Sequence, residues 1–122
     1  MTVAKKFGDK VIHKYRIENG GDVAITVNAY ASLGGRGVFG SYDEIHETIM
    51  VQKVVVYLRS YKDVTFEYIV AAPLAYGAIY HAKARVNNLD GKELDDEIIH
   101  DAIQIAEQPV PGKAVITNYG VS

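Results

Sequence analysis

Apolar and polar residues alternate with a period of two on both sides of the tetrapeptide Asn19-Gly20-Gly21-Asp22. In residues 11–18 this spacing puts Val11, His13, Tyr15 and Ile17 on one face of a strand, and residues 23–30 alternate in the same way. Asn-Gly is the preferred two-residue hairpin turn, because both residues tolerate positive φ. The sequence therefore predicts an antiparallel β-hairpin with one buried face.

The middle of the chain supports two interpretations. The pattern Ser41-x-x-Glu44 is a capping box and predicts a short helical turn at 42–48. The three valines at 54–56 then favour a strand at about 50–59, since β-branched residues suit strands. A single long helix across 42–60 is the alternative.

The C-terminal half predicts a turn at 60–63, strands at 64–72 and 78–88, a helix, and a last strand at 113–121. The helix is indicated by the spacing of Ile99, Ala102, Ile103 and Ala106, by acidic residues at 95–97, and by Gln108, Pro109 and Pro111 after it. The predicted fold class is α+β: a mostly antiparallel sheet of five to six strands with one amphipathic C-terminal helix. The alternative is a ferredoxin-like β-α-β-β-α-β unit with an extra N-terminal strand.

A helix of about 12 residues spans only about 18 Å, too little to cover such a sheet. The sheet must therefore curl on itself or pair with another subunit, and we expect a small closed homo-oligomer.

Composition narrows the class of protein. The 122 residues predict a single domain, 1–122. The net charge of −2 makes nucleic acid an unlikely partner, because a general nucleic-acid binder carries a basic excess. The absence of cysteine excludes thiolate chemistry and fits the cytoplasm, where we expect the protein. We expect no membrane span, no metal site and no cofactor, since no apolar run, histidine spacing or nucleophile motif indicates one.

The glycine-rich stretch at 34–40 contains the first candidate site. Gly35-Arg36-Gly37-Val38-Phe39-Gly40 matches G-x-G-x-x-G, but the parallel βαβ context of a dinucleotide site is missing. The looser prediction is an anion cradle of Gly35, Arg36, Gly37 and Ser41, with backbone N–H groups and the guanidinium as donors. The alternative is a mobile surface connection.

A second candidate lies on the strand at 78–88, where His81, Lys83 and Arg85 share one face and would attract an anion. The alternative is a solvated strand face. The opposite face carries Tyr80 and the small Ala82 and Ala84, which implies close packing or a space that a ligand fills.

His13 lies among apolar neighbours, so it is either a core histidine held by one hydrogen bond or an acid–base group. Together with His81 and Tyr80 it completes the candidate catalytic set. The leading functional hypothesis is a small soluble protein that binds an anionic phosphate- or carboxylate-bearing metabolite, with cofactor-free enzymatic activity left open. The alternative is a homo-oligomeric structural or interaction subunit without catalysis.

Overall fold

The computed structural model describes residues 2–106, 112 and 114–122. Over these ranges the chain is built almost entirely of β-strands, with two single 3-10 turns at Val38–Gly40 and His46–Thr48 and no longer helix. The strands are β1 (Val3–Lys5), β2 (Lys10–Asn19), β3 (Ile25–Arg36), β4 (Tyr42–Glu44), β5 (Met50–Val56), β6 (Ser60–Ile69), β7 (Ile79–Asn88) and β8 (Glu93–Ile105).

The strands form two sheets. The larger has the order β1-β8-β7-β3, and the far edge of β3 pairs with β5 along its first half and with β4 at its end. The smaller sheet is the antiparallel pair β2–β6, in register over ten residues without a bulge. β1 pairs with the end of β8 in parallel, and the other described pairs are antiparallel.

The predicted hairpin across Asn19-Gly20 is wrong, although both of its strands exist. β2 and β3 belong to different sheets, so the chain crosses between layers where a tight turn was expected. Asn19 holds this crossing: its side-chain amide donates to the carbonyls of Val23 (2.8 Å) and Val56 (3.1 Å), and its Oδ1 accepts from the Gly21 N–H. A buried asparagine that braces the loop here takes the place of the two-residue turn.

The predicted C-terminal helix is also wrong, and its residues form β8. The acidic residues expected to cap a helix lie opposite the basic stripe of β7, with Asp96 paired to Arg85 and Glu97 to Ala84 in the register. Cross-strand pairing of opposite charges stabilises a sheet, and this non-local gain overrides the local helical spacing. Both α+β and ferredoxin-like predictions therefore fail. The helix-ending residues 108–111 lie outside the described part of the chain.

Three local predictions also need correction. The short helical turn predicted at 42–48 is present only at its end, as the 3-10 turn His46–Thr48, whereas Tyr42–Glu44 form β4 and the capping box does not start a helix. Residues 60–63, predicted as a turn, open β6, and the reversal lies just before them at Arg59, whose φ is +49°. The strand predicted at 113–121 is not formed by residues 114–121, the part of it that the structure describes. By contrast, the strand expected at about 50–59 is present as β5, and the long helix across 42–60 is not.

The core lies between the two sheets in two adjoining clusters. The first joins β2 and β6 to β3 and β5, where the Tyr15 ring stacks on Phe66 and its hydroxyl donates to the Tyr30 carbonyl (2.9 Å). The second surrounds Leu33 and contains Val11, Val70, Leu74, Tyr80, Ile103 and Ile105. The small sheet thus covers the β3 and β5 side of the large sheet, and the β7 and β8 side has less cover.

Candidate functional site

A groove runs between the two sheets along β2. It consists of two adjoining clefts of about 600 and 310 Å³, and Tyr15, Ala84 and Glu97 line both of them. One wall is β2, the floor is the inner face of β7 and β8, and β1 closes one end. The clefts are therefore two parts of one elongated depression.

The groove lies at the edge of β2. Here all residues from Val11 to Glu18 line the groove, and no residue of β6 does. β6 is the one described strand that pairs with β2, so the edge of β2 that borders the groove has no described strand beside it.

The floor of the groove combines small side chains with large exposed ones, and Glu97 adds a carboxylate that borders both clefts. Ala82 and Ala84 of β7 contribute only methyl groups, next to Ile99 and Leu94 of β8. Ile99 remains 60% exposed and Leu94 51% exposed. Small side chains next to uncovered large ones leave space that another apolar group can fill.

His13 lies in the wall of the wider cleft, partly buried. Its Nε2 is buried and finds no hydrogen-bond partner among the described residues. Burial disfavours the charged ring and lowers the pKa of His13 below its usual 6.5. The ring is therefore neutral near pH 7, and its Nε2 has no hydrogen bond within the described chain that would orient it for proton transfer.

We expect His13→Leu to change how stability depends on pH. The unfolded chain takes up a proton at His13 near pH 6.5, but the folded chain resists it. The contribution of His13 to the free energy of unfolding is therefore complete above pH 6.5. It is lost as the pH falls from 6.5 towards the lowered pKa of His13 in the folded chain, and the variant has no such loss. Denaturant titrations at pH 7.5 and 5.5 measure the difference, and parallel losses in both proteins would show that burial does not perturb His13.

The side chains of the basic stripe of β7 contact groups on the outer face of the large sheet, although Lys83 and Arg85 also border the two clefts. Lys83 pairs with Asp96 at 3.7 Å, and its ammonium lies 5.4 Å from the centre of the Tyr42 ring. Arg85 stacks over Tyr30 at 4.5 Å, and its Nε is buried without a hydrogen-bond partner in the described chain. Aromatic faces and a carboxylate thus already engage these cations.

A hydrogen-bond chain adjoins the stripe. Ser32 donates to the Glu44 carboxylate (2.7 Å), so the Tyr42 hydroxyl, 3.0 Å from Ser32, is the donor to it. Burial, aided by the charge of Glu44, raises the pKa of Tyr42 to about 12 against the opposing effect of that hydrogen bond. Glu44 together with Asp96 balances the two cations of the stripe, which weakens the case for anion binding on this face.

The other two candidate catalytic groups, His81 and Tyr80, each accept a hydrogen bond from a backbone N–H group. Nδ1 of His81 accepts a hydrogen bond from the Asp101 amide (2.8 Å), and its ring meets the edge of His100 at 4.9 Å. Tyr80 points into the core on the other side of the sheet, where its hydroxyl accepts from the Ala75 N–H (2.8 Å). His81 and Tyr80 are thus on opposite faces, and neither lines the cleft that contains His13.

The glycine-rich stretch forms the β3–β4 hairpin. Gly35 and Arg36 end β3, with the Arg36 side chain exposed, and Gly37 donates its N–H to the Ser41 carbonyl. The Ser41 hydroxyl donates to the Val38 carbonyl (2.8 Å), so it closes the 3-10 turn. Arg36 pairs with Tyr42 across this hairpin, and the Tyr42 ring lies under the Lys83 ammonium on the outer face of the large sheet. His13 lies in the groove between the two sheets, away from this hairpin.

Sequence reasoning missed Ser32, Tyr42 and Glu44, which only strand pairing brings beside β7. Within the described residues no three histidine or acidic side chains group as a metal site. No helix of the described chain is long and apolar enough to cross a membrane. No model of a known protein family matches the sequence, and no curated protein matches it.

Proposed function

We propose that this protein is an interaction subunit that binds an extended polypeptide strand at the edge of β2 and forms a homo-oligomer through it. The observation that carries the proposal is the groove: a continuous depression beside a strand edge ten residues long. A strand that enters it would gain main-chain hydrogen bonds from β2 and apolar contact from the floor. This is the physics of strand-addition recognition.

The edge of β2 carries few of the features by which proteins block strand pairing. Natural edges are protected by proline, bulges, short length or charges. β2 is long and regular, without proline or bulge, and its residues along the groove include the apolar Val11 and Ile17 as well as the charged Lys14, Arg16 and Glu18. β8 shows the contrast, because its stretch before Ile103, which has no described partner on the side away from β7, carries five acidic residues: Glu93, Asp95, Asp96, Glu97 and Asp101.

The proposal is tested by filling the groove. Ala84 is part of both clefts, so Ala84→Phe would occupy the space that the strand needs. We expect the wild type to sediment as a small closed oligomer at micromolar concentration and Ala84→Phe as a 13.4 kDa monomer.

The matched control is Ala71→Phe, at an exposed alanine outside the groove, which should leave the oligomer intact. A wild type that is monomeric at all accessible concentrations would refute the homo-oligomeric role. An Ala84→Phe oligomer with unchanged affinity would show that association uses another surface.

A second candidate function is the binding of an anionic metabolite in the wider cleft. The favouring observation is that Lys5, Lys14 and Lys83 border it, whereas Glu97 is its single acidic lining residue. Phosphate- or carboxylate-bearing ligands that bind the wild type, and bind Ala84→Phe more weakly, would support this function; a cytoplasmic location is part of both proposals.

A further inference from the structure

We infer that the strand which fills the groove is residues 114–121 of a second copy of this chain. The inference rests on the proposed function and names its partner.

The C-terminal segment exposes apolar side chains that nothing in the described chain covers. Ile116 is 85% exposed, Tyr119 83% and Val121 86%. The sequence AVITNYGV is rich in strand-forming residues, yet it forms no strand as it stands. Burial of valine, isoleucine and aromatic side chains is favourable, so a partner surface would stabilise this segment.

The segment matches the groove in length and shape. The segment 114–121 has eight residues, as many as the stretch of β2 that lines the groove, Val11 to Glu18. In an extended conformation, at about 3.3 Å per residue, each spans about 26 Å. Val115, Thr117, Tyr119 and Val121 would then share one face, and its large side chains suit a floor that includes Ala82 and Ala84.

The placement of the segment favours a second copy over the same chain. Residues 114–122 are all exposed and none of them lines the groove of their own chain. Two copies that exchange these segments reciprocally form a closed pair with two identical contacts, as in domain swapping. Two tethered contacts also bind more tightly than one.

The first test is Tyr119→Asp in the full chain. The change removes the apolar ring and places a carboxylate in a groove where Glu97 borders both clefts, so we expect the dissociation constant of the oligomer to rise by at least about tenfold. Val38→Asp is the control, since it places the same charge at a residue that is 75% exposed and outside groove and segment. The control should sediment as the wild type does.

The second test mixes two defective proteins. Ala84→Phe retains the segment but has a filled groove, and Tyr119→Asp retains the groove but has a damaged segment. If the segment passes between copies, an equimolar mixture should form a 1:1 complex that neither protein forms with itself. If the segment folds into its own groove, no complex forms and the wild type is a monomer, which overturns the inference.

The outcomes separate this inference from the proposed function. If Tyr119→Asp associates like the wild type but Ala84→Phe does not, the groove binds another segment, and only the inference fails. If both variants associate like the wild type, the proposed function fails as well. A synthetic peptide of residues 114–121 that binds Tyr119→Asp but not Ala84→Phe would identify the segment directly.

Discussion

Leu33→Ala is expected to lower the free energy of unfolding by about 2–5 kcal/mol, the range for a fully buried leucine. Leu33 is 0% exposed and lies at the centre of the second core cluster, where both sheets meet. Truncation removes buried surface and leaves a cavity that the surrounding strands fill poorly.

The backbone at Leu33 makes collapse around such a cavity difficult. The buried hydroxyl of Thr48 accepts from the Leu33 N–H (2.9 Å) and lies 3.0 Å from the Leu33 carbonyl, which also accepts from the Ile45 N–H. These contacts fix β3 against the 3-10 turn at His46–Thr48. The strand therefore cannot shift to refill the space without breaking buried hydrogen bonds.

Leu58→Ala provides the control, because Leu58 is 52% exposed and its truncation should change stability by no more than about 0.5 kcal/mol. Urea titrations of the three proteins give the comparison. Equal small effects for both variants would mean that the second cluster is not a packed core.

Gly34→Ala is expected to destabilise the fold by about 1–3 kcal/mol, an overpacking cost. A methyl group at Gly34 would lie 2.5 Å from the Asp43 carbonyl oxygen and 2.6 Å from the Tyr42 ring. Either β4 moves away from β3 or the ring leaves the sheet, and the second outcome breaks the hydrogen bond between Tyr42 and Ser32.

The neighbouring glycine is the matched control. A methyl group at Gly35 would meet nothing within 4 Å, so Gly35→Ala should be nearly neutral. Thermal melts of both variants measure the difference in melting temperature between them. Equal melting temperatures for Gly34→Ala and Gly35→Ala would contradict the packing of Tyr42 on the sheet.

Period-two alternation located several strands correctly but not their partners. It placed strands at β2, β3, β6 and β7, because the alternation reports which face of a single strand is buried. It did not show that β2 pairs with β6 across 40 residues of chain, since pairing depends on contacts that no local pattern records. The Asn19-Gly20 signal favoured a hairpin, yet the buried side chain of Asn19 braces a crossing between sheets.

The wrong prediction of a helix at the residues that form β8 has a related cause. The residues of β8 have helical spacing and an acidic start, but the basic stripe of β7 and the apolar interior compete for them. Isoleucines at 103 and 105 are both buried, which is strand periodicity that the helical spacing concealed.

The candidate site was predictable only in part. Small side chains at Ala82 and Ala84 indicated a space on one face of their strand, and the groove lies there. The glycine motif indicated an anion cradle, but Gly34 and Gly37 also have close contacts with Tyr42 and Ser41, which require glycine for packing alone. The free edge of β2 depends on sheet order, which no residue pattern in this chain reveals.

Amide hydrogen exchange along β2 tests the central claim most directly. The wild type is compared at concentrations where it is associated and where it is dissociated, with Ala84→Phe as the permanently dissociated reference. We expect association to slow exchange at the β2 amides that point away from β6, within residues 11–18, because a docked strand would accept their hydrogen bonds. Unchanged exchange along β2 in a protein that does associate would contradict the claim that the groove edge receives a strand.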